Sequence, residues 1–325
     1  MSDDLEVQLA PADATAGLTV ESFSPGRLAF KRYLNHKGAV VGAVVLAVMV
    51  IFVVLAPFTT RYGVNEAVFK AENGARNDFL SPRSIAWFGT DDIGRDVYSR
   101  LIFGLRISLV IGLAAAVFST LVGVTVGAIA GMKGGLFDDI LMRITDVFLA
   151  FPFLVALLVT RSLLVGVSWL EPFVGKPSSI QFVIVLFVIF GWMGVARLMR
   201  GQVLALKERE FVEAARALGA TNFRIVRKHL LPNSIGPILV ALTSSVAGAI
   251  VGESTLSFFG YGPQPGAGQT SLGLLVAASK QAVLPGFWWL VVFPCGLLVL
   301  VTLCVNFIGD GLRDATDPKL DTGGN

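Results

Sequence analysis

Five stretches of the chain run for about twenty residues or more without an Asp, Glu, Lys or Arg: 38–58, 107–131, 177–196, 230–252 and 281–309. An α-helix of about twenty residues spans the roughly 30 Å hydrocarbon core of a bilayer. A sixth run, 142–162, is interrupted by Asp146, with Arg143 beside it, near one end and Arg161 near the other, where these side chains can reach the interfaces. Six crossings make an all-α polytopic membrane protein and put both termini on one side. Charged residues are 15% of the chain and hydrophobic ones 54%, against roughly 25% charged in soluble proteins. A soluble globular chain is excluded.

The polar segments set the orientation. Residues 1–26 carry Asp3, Asp4, Glu6, Asp13 and Glu21 among Ala, Pro, Thr and Ser, the composition of a disordered tail. No basic region precedes an apolar core there, so this is not a cleavable signal peptide. Segment 27–58 opens with Arg27, Lys31, Arg32, His36 and Lys37 alternating with Leu28, Phe30, Tyr33 and Leu34. That amphipathic pattern suits a membrane surface and leads straight into the first span; membrane lipid is its partner, and nucleic acid is not. Between 197 and 229, Arg197, Arg200, Lys207, Arg209, Arg216, Arg224, Arg227 and Lys228 stand against three Glu. The excess of Lys and Arg places this loop and both termini, including the 313–325 tail, in the cytoplasm, with 59–106 outside. Trp169, Trp288 and Trp289 then fall at outer ends of spans, as an aromatic belt does.

Residues 209–233, REFVEAARALGATNFRIVRKHLLPN, are the one soluble stretch with a helical pattern of its own. Phe211 to Leu218 consists of good helix formers, and Gly219 stands where a helix C-cap belongs. Thr221 or Asn222 can cap a second helix through Ile225, Val226 and His229, which Pro232 then interrupts. The result is a compact helical elbow at a membrane surface.

The remaining polar groups exclude most chemistry. Gly175-Lys176 is followed by Pro177 and lacks the upstream glycine of a phosphate-cradling loop. His36 and His229 are the only histidines, and there is neither HExxH nor GxSxG, which leaves a zinc or serine hydrolase without its residues. An intramembrane enzyme would need ionisable residues clustered at one depth, and none are seen. Asp91, Asp92 and Asp96 lack EF-hand spacing; with Arg95 and Arg100 they read as capping and i,i+4 partners at a helix start, and no metal site is expected. Asp138, Asp139, Arg143 and Asp146 read as a structural ion-pair cluster. Glu253 faces either a polar translocation path or the interface, where it would cap or pair locally. Glycines 112, 123, 127 and 131 mark close helix packing, and Cys295 and Cys304 are packing residues without CxxC spacing.

Glu213, Ala214, Ala215, Gly219, His229, Leu231 and Pro232 fit EAA-x3-G-x9-[I/H]-x-L-P, the pattern of the EAA loop of importer-type ABC transporter permeases, which this stretch resembles. GTDDIGRDVYSRLIFGLRISL (89–109), GGLFDDILMRITDVFLAFP (134–152), GWMGVARLMRGQVLALKEREFVEAARALGA (191–220) and ESTLSFFGYGPQP (253–265) resemble segments of the dipeptide/oligopeptide/nickel permeases. They extend over about the last three quarters of the chain. The single long apolar run near the N-terminus resembles that of the C-type subunit. One stretch departs from the pattern: 266–273 reads GAGQTSLG where the family commonly has Trp-Gly, a difference that bears on cargo or receptor if that external loop touches either.

The resemblance implies the fold of type I ABC importer permeases: six transmembrane helices, a five-helix core at 107–312 and a cytoplasmic coupling helix pair at about 209–233. It implies half of a translocation path for di- or oligopeptides, with nickel or another small solute as the alternative cargo. The implied partners are a homologous second permease, two cytoplasmic ATPase subunits and an extracytoplasmic substrate-binding protein, in a prokaryotic plasma (inner) membrane. ATP and Mg would be bound by the ATPases, so this chain carries no cofactor and no catalytic residue. By the same resemblance Glu213 orients the elbow on the ATPase, Ala214 and Ala215 admit close contact, and Gly219 sets the turn. A passive channel or scaffold is the reading from a different class, and it requires an elbow without an ATPase partner.

Overall fold

The computed structural model describes residues 25–68, 78–164, 167–176, 178–263 and 270–316. Residues 1–24 of the disordered tail expected at 1–26, the end of the chain from 317, and 264–269 of the departing loop lie outside the described residues, while Pro25 and Gly26 already open a helix. The principal helices are α1 (Pro25–Asn35), α2 (Lys37–Val54), α3 (Val97–Lys133), α4 (Gly135–Ala150), α5 (Phe153–Leu164), α6 (Ile180–Gly191), α7 (Met193–Leu206), α8 (Glu210–Ala217), α9 (Asn222–Ile225), α10 (Ile235–Phe258), α11 (Leu272–Ala278) and α12 (Trp289–Thr316). Among the described residues the only extended pairings are isolated bridges, Ala67 with Arg95 and Thr90 with Asp96.

Among the described residues four helices, α2, α3, α10 and α12, are each long and apolar enough to cross a membrane. The pairs α4–α5 and α6–α7, bent by 91° and 41°, bring the number to six when each counts as one crossing. The continuous third span expected over 142–162 is therefore corrected. Pro152 has no N–H to donate and pushes its predecessor out of the helical region, and Phe151 is extended, with ψ 135°. The span expected at 107–131 starts earlier, at Val97, because Asp96 caps it, accepting from Ser99 N at 2.8 Å. Arg100 and Arg106 had interrupted the uncharged run without interrupting the helix.

Helix α3 is the central post, packed against α7, α10 and α6, while α12 packs against α10 and α2. The glycines of α3 make this closeness possible. A Cβ on Gly127 would lie 2.3 Å from Ala196 O, and on Gly131 it would lie 2.8 Å from the Val203 side chain. The expectation of close helix packing holds. The outward faces of α2 (Val41, Val44, Val48, Ile51) and α12 (Val292, Val299, Leu303, Phe307) remain apolar, as surfaces facing lipid must.

The segment before α3 docks on the start of α12. Phe79 stacks on Phe287 and Phe88 on Phe293, with ring centroids 4.2 and 4.1 Å apart. Trp289 donates its indole N–H to Thr90 O at 3.1 Å and is 6% exposed. Trp289 therefore belongs to the core and is no part of an aromatic belt. Asp91, also buried, binds Arg95 Nε at 2.7 Å and pairs with Arg100, so these acids are the capping and ion-pair groups that their spacing indicated.

Candidate functional site

The elbow folds on its own apolar seam. Val212 of α8, Ile225 of α9 and Leu230 beyond it have no exposed surface. They pack with Ala128 of α3, Met199 and Val203 of α7, and Ile238 of α10. Burying three such side chains contributes on the order of 5 kcal/mol, enough to fix two helices that are too short to be stable alone.

Helix α8 ends in a Schellman arrangement: Gly219 N–H donates to Arg216 O at 2.9 Å and Ala220 N–H to Ala215 O at 3.0 Å. Gly219 has φ +81°, a left-handed conformation that glycine adopts without a Cβ penalty. Thr221 caps α9 by accepting from Arg224 N at 3.4 Å. The chain then widens into a π-turn over Val226–Leu230 and continues through Leu231–Asn233 into α10. Pro232 was expected to end the helix. It sits instead inside the short turn after the π-widening, which gives its ring room beside the preceding carbonyls, and the break falls at Ser234.

The motif residues divide between surface and seam. Glu213, Ala214, Gly219 and Pro232 are exposed. Ala215 and Leu231 are half-buried against the elbow's apolar seam. His229 is half-buried too, with its ring 6.2 Å from that of Phe211 and its carbonyl accepting from Asn233 Nδ2 at 2.7 Å. Two residues that the motif does not contain form the tip: Leu218 and Phe223, 88% and 74% exposed, with Arg216 and Arg224 also exposed. Spacing gave no sign of them, because a helix period marks which residues share a face and not which face is covered.

Ion pairs tie the elbow's approach helix to its neighbour. Arg200 of α7 grips Asp138 of α4 through two bonds of 2.5 and 2.6 Å, and Arg197 pairs with Asp146. The cluster expected among Asp138, Asp139, Arg143 and Asp146 is corrected: Asp138 and Asp146 each pair with an arginine of α7, far away in sequence, and not with Arg143 of their own helix. Glu253, placed by sequence at a polar path or an interface, has no exposed surface. It lies at the end of α10 opposite the elbow, within reach of Ser108, Ser257 and Ser271.

Comparison with known proteins agrees with this architecture. Residues 123–322 match the family described as "binding-protein-dependent transport system inner membrane component", and residues 24–82 match the "N-terminal TM domain of oligopeptide transport permease C". The chain is 39% identical over 292 residues to the dipeptide transport system permease protein DppC of Bacillus subtilis (strain 168), covering 90% of this chain and 85% of that protein. It is 38% identical over 315 residues to the oligopeptide transport system permease protein OppC of the same organism, covering 95% and 96%. A structure titled as inward-facing conformations of the MetNI methionine ABC transporter superposes with a TM-score of 0.52 at 21% identity, covering 66% of this chain and 94% of the other; that likeness concerns the fold alone. With four apolar helices long enough to cross, six crossings if each bent pair is one, the chain is an integral membrane protein that belongs to the binding-protein-dependent transport system inner membrane component family.

Proposed function

We propose that the chain is one permease subunit of an ATP-driven importer of di- or oligopeptides, forming half of the translocation path with a homologous second permease. The elbow docks on a cytoplasmic ATPase that holds ATP and Mg, and an extracytoplasmic binding protein delivers the cargo. Both termini and the elbow lie in the cytoplasm of a prokaryotic cell, on the side that the Arg and Lys excess favours. The observation that carries this reading is the elbow itself. Its exposed face joins Glu213, Ala214 and Gly219 to the apolar tip of Leu218 and Phe223, a surface built for close contact and held rigid from below by Val212, Ile225 and Leu230. ATP-driven movement of the docked ATPases displaces the elbow, and the spans rock between inward- and outward-facing states. The chain itself acts as a transport subunit without a catalytic group.

The test is purification of the tagged protein from mild detergent, followed by ATPase assay of what accompanies it. A second permease chain and ATPases are expected, with turnover that rises on adding binding protein and peptide. A chain that purifies alone, or a complex whose turnover is indifferent to Glu213 substitution, favours a channel or scaffold; stimulation by nickel-loaded receptor and not by peptide moves the cargo to the metal. Ala214→Trp separates contact with a partner from folding. Ala214 is exposed, so the indole leaves the elbow intact and blocks only a docking neighbour; Ala215→Trp would also disturb the half-buried seam. Ala214→Trp is expected to abolish receptor-stimulated ATP turnover while insertion is unchanged. Normal stimulation in an assembled Ala214→Trp complex would sink the docking role.

A further inference from the structure

Glu253 is an acid with no exposed surface at the far end of α10 from the elbow. Its carboxylate gathers three helices: Ser108 Oγ of α3 donates to Oε2 at 3.0 Å, and Ser257 Oγ of α10 and Ser271 Oγ, which caps α11, donate to Oε1 at 2.8 and 2.7 Å. Leu272 N–H donates to Ser108 Oγ at 3.0 Å, and Leu274 N–H to Ser271 Oγ at 3.2 Å. The helices touch as closely as backbones allow. A Cβ on Gly273 would lie 2.6 Å from Ser254 Cα, and on Gly104 it would lie 3.1 Å from the Ser271 carbonyl carbon.

Stability does not explain a carboxylate here. An acid inside a membrane-spanning helix is expensive to bury, and well-packed apolar side chains hold helices together at least as well as a buried charged group. What the acid adds is direction, since its lone pairs fix the register of α3, α10 and α11 at one point. The other end of α10 starts directly after the elbow, with Ile238 packed against Val212, Ile225 and Leu230. The 24 residues of α10 are uninterrupted, a rod of about 36 Å.

We propose that Glu253 is a positioning residue that makes α11 and the neighbouring part of α3 move with α10, so that displacement of the elbow reaches the far end of the bundle. This rests on the importer reading above. Without the carboxylate, α10 would move while α11 lags, and ATP would be hydrolysed with little peptide moved.

The experiment uses the complete transporter in nanodiscs and proteoliposomes, comparing wild type with Glu253→Ala, Glu253→Gln and Ser271→Ala. Loss of the hydrogen-bonded hub is expected to raise hydrogen exchange over Leu272–Ala278 by about tenfold in Glu253→Ala, and the ATP hydrolysed per peptide moved by a similar factor. Gln presents an accepting oxygen and a donating amide to hydroxyls that can turn, so Glu253→Gln restores both readouts towards wild type. Ser271→Ala removes one donor to the acid and also the cap of α11, so it is read by the ATP-to-peptide ratio, where a smaller rise of the same kind decides the matter if Glu253→Ala does not assemble. A purely structural role would reduce the amount of assembled complex and leave the ATP-to-peptide ratio unchanged. That result, or wild-type exchange over α11 in Glu253→Ala, overturns the proposal. A wild-type complex that moves no peptide overturns the importer reading instead, and exchange over α11 still decides whether Glu253 holds that helix.

Discussion

Gly219 shows how much one residue decides in the elbow. At φ +81° an L-residue is disfavoured by about 1–2 kcal/mol, so Gly219→Ala should loosen the end of α8 by roughly that amount and lower coupled turnover only partly. Gly219→Pro goes further, because a proline φ near −65° cannot reach this conformation and the N–H bonded to Arg216 O disappears. Membrane insertion is expected to survive and peptide-coupled ATP turnover to vanish, as read by the membrane-fraction yield and by proteoliposome uptake. Wild-type uptake with Gly219→Pro would show that the turn has no part in coupling. The glycine was legible from sequence because it follows a run of helix formers and precedes a capping threonine. The split between Ala214, exposed, and Ala215, half-buried, was not legible, because identical adjacent side chains differ only in which neighbour covers them.

Among the elements, α3 and α7 meet with glycine against backbone. A Cβ on Gly127 meets a backbone carbonyl, which cannot turn aside as a side chain can, whereas a Cβ on Gly201 of α7 meets nothing within 4 Å. Gly127→Leu is therefore expected to destabilise the purified chain by about 3 kcal/mol through overpacking, and Gly201→Leu by much less, as read from thermal unfolding midpoints in one mild detergent. Equal midpoints for the two variants would contradict the packing described. The glycine spacing announced a close contact, since small residues let helices approach, but it did not name α7 as the partner. The bend between α4 and α5 had a visible cause in Pro152. Its 91° angle follows from where α4 is held, by Arg200 on Asp138 and Arg197 on Asp146, two pairs that join residues distant in sequence.

At the scale of the whole molecule, the bundle presents two exposed apolar side chains, Leu218 and Phe223, on a basic loop. Phe223 is 74% exposed, so Phe223→Ala should leave the fold unchanged. If the tip fills a pocket on the ATPase, its truncation weakens that association by about 2 kcal/mol, or roughly thirtyfold in Kd. Retention of ATPase on the immobilised permease across a concentration series measures this directly. Unchanged retention for both Phe223→Ala and Leu218→Ala would move the docking surface to the Glu213 face of α8.

The amino-acid sequence by itself determined that the chain crosses a membrane, where the crossings lie to within a turn or several, that an elbow stands between two of them, and which family it belongs to. Uncharged length, charge placement and helix-capping chemistry are local quantities, and the chain order contains them in full. Only the tertiary structure decided that Trp289 is core, that Glu253 is enclosed by serines from two other helices, that Asp138 and Asp146 pair with α7, and that Leu218 and Phe223 remain uncovered. Each of these depends on what a distant segment brings within a few ångströms, and burial and pairing are properties of the packed helices together that no local stretch contains.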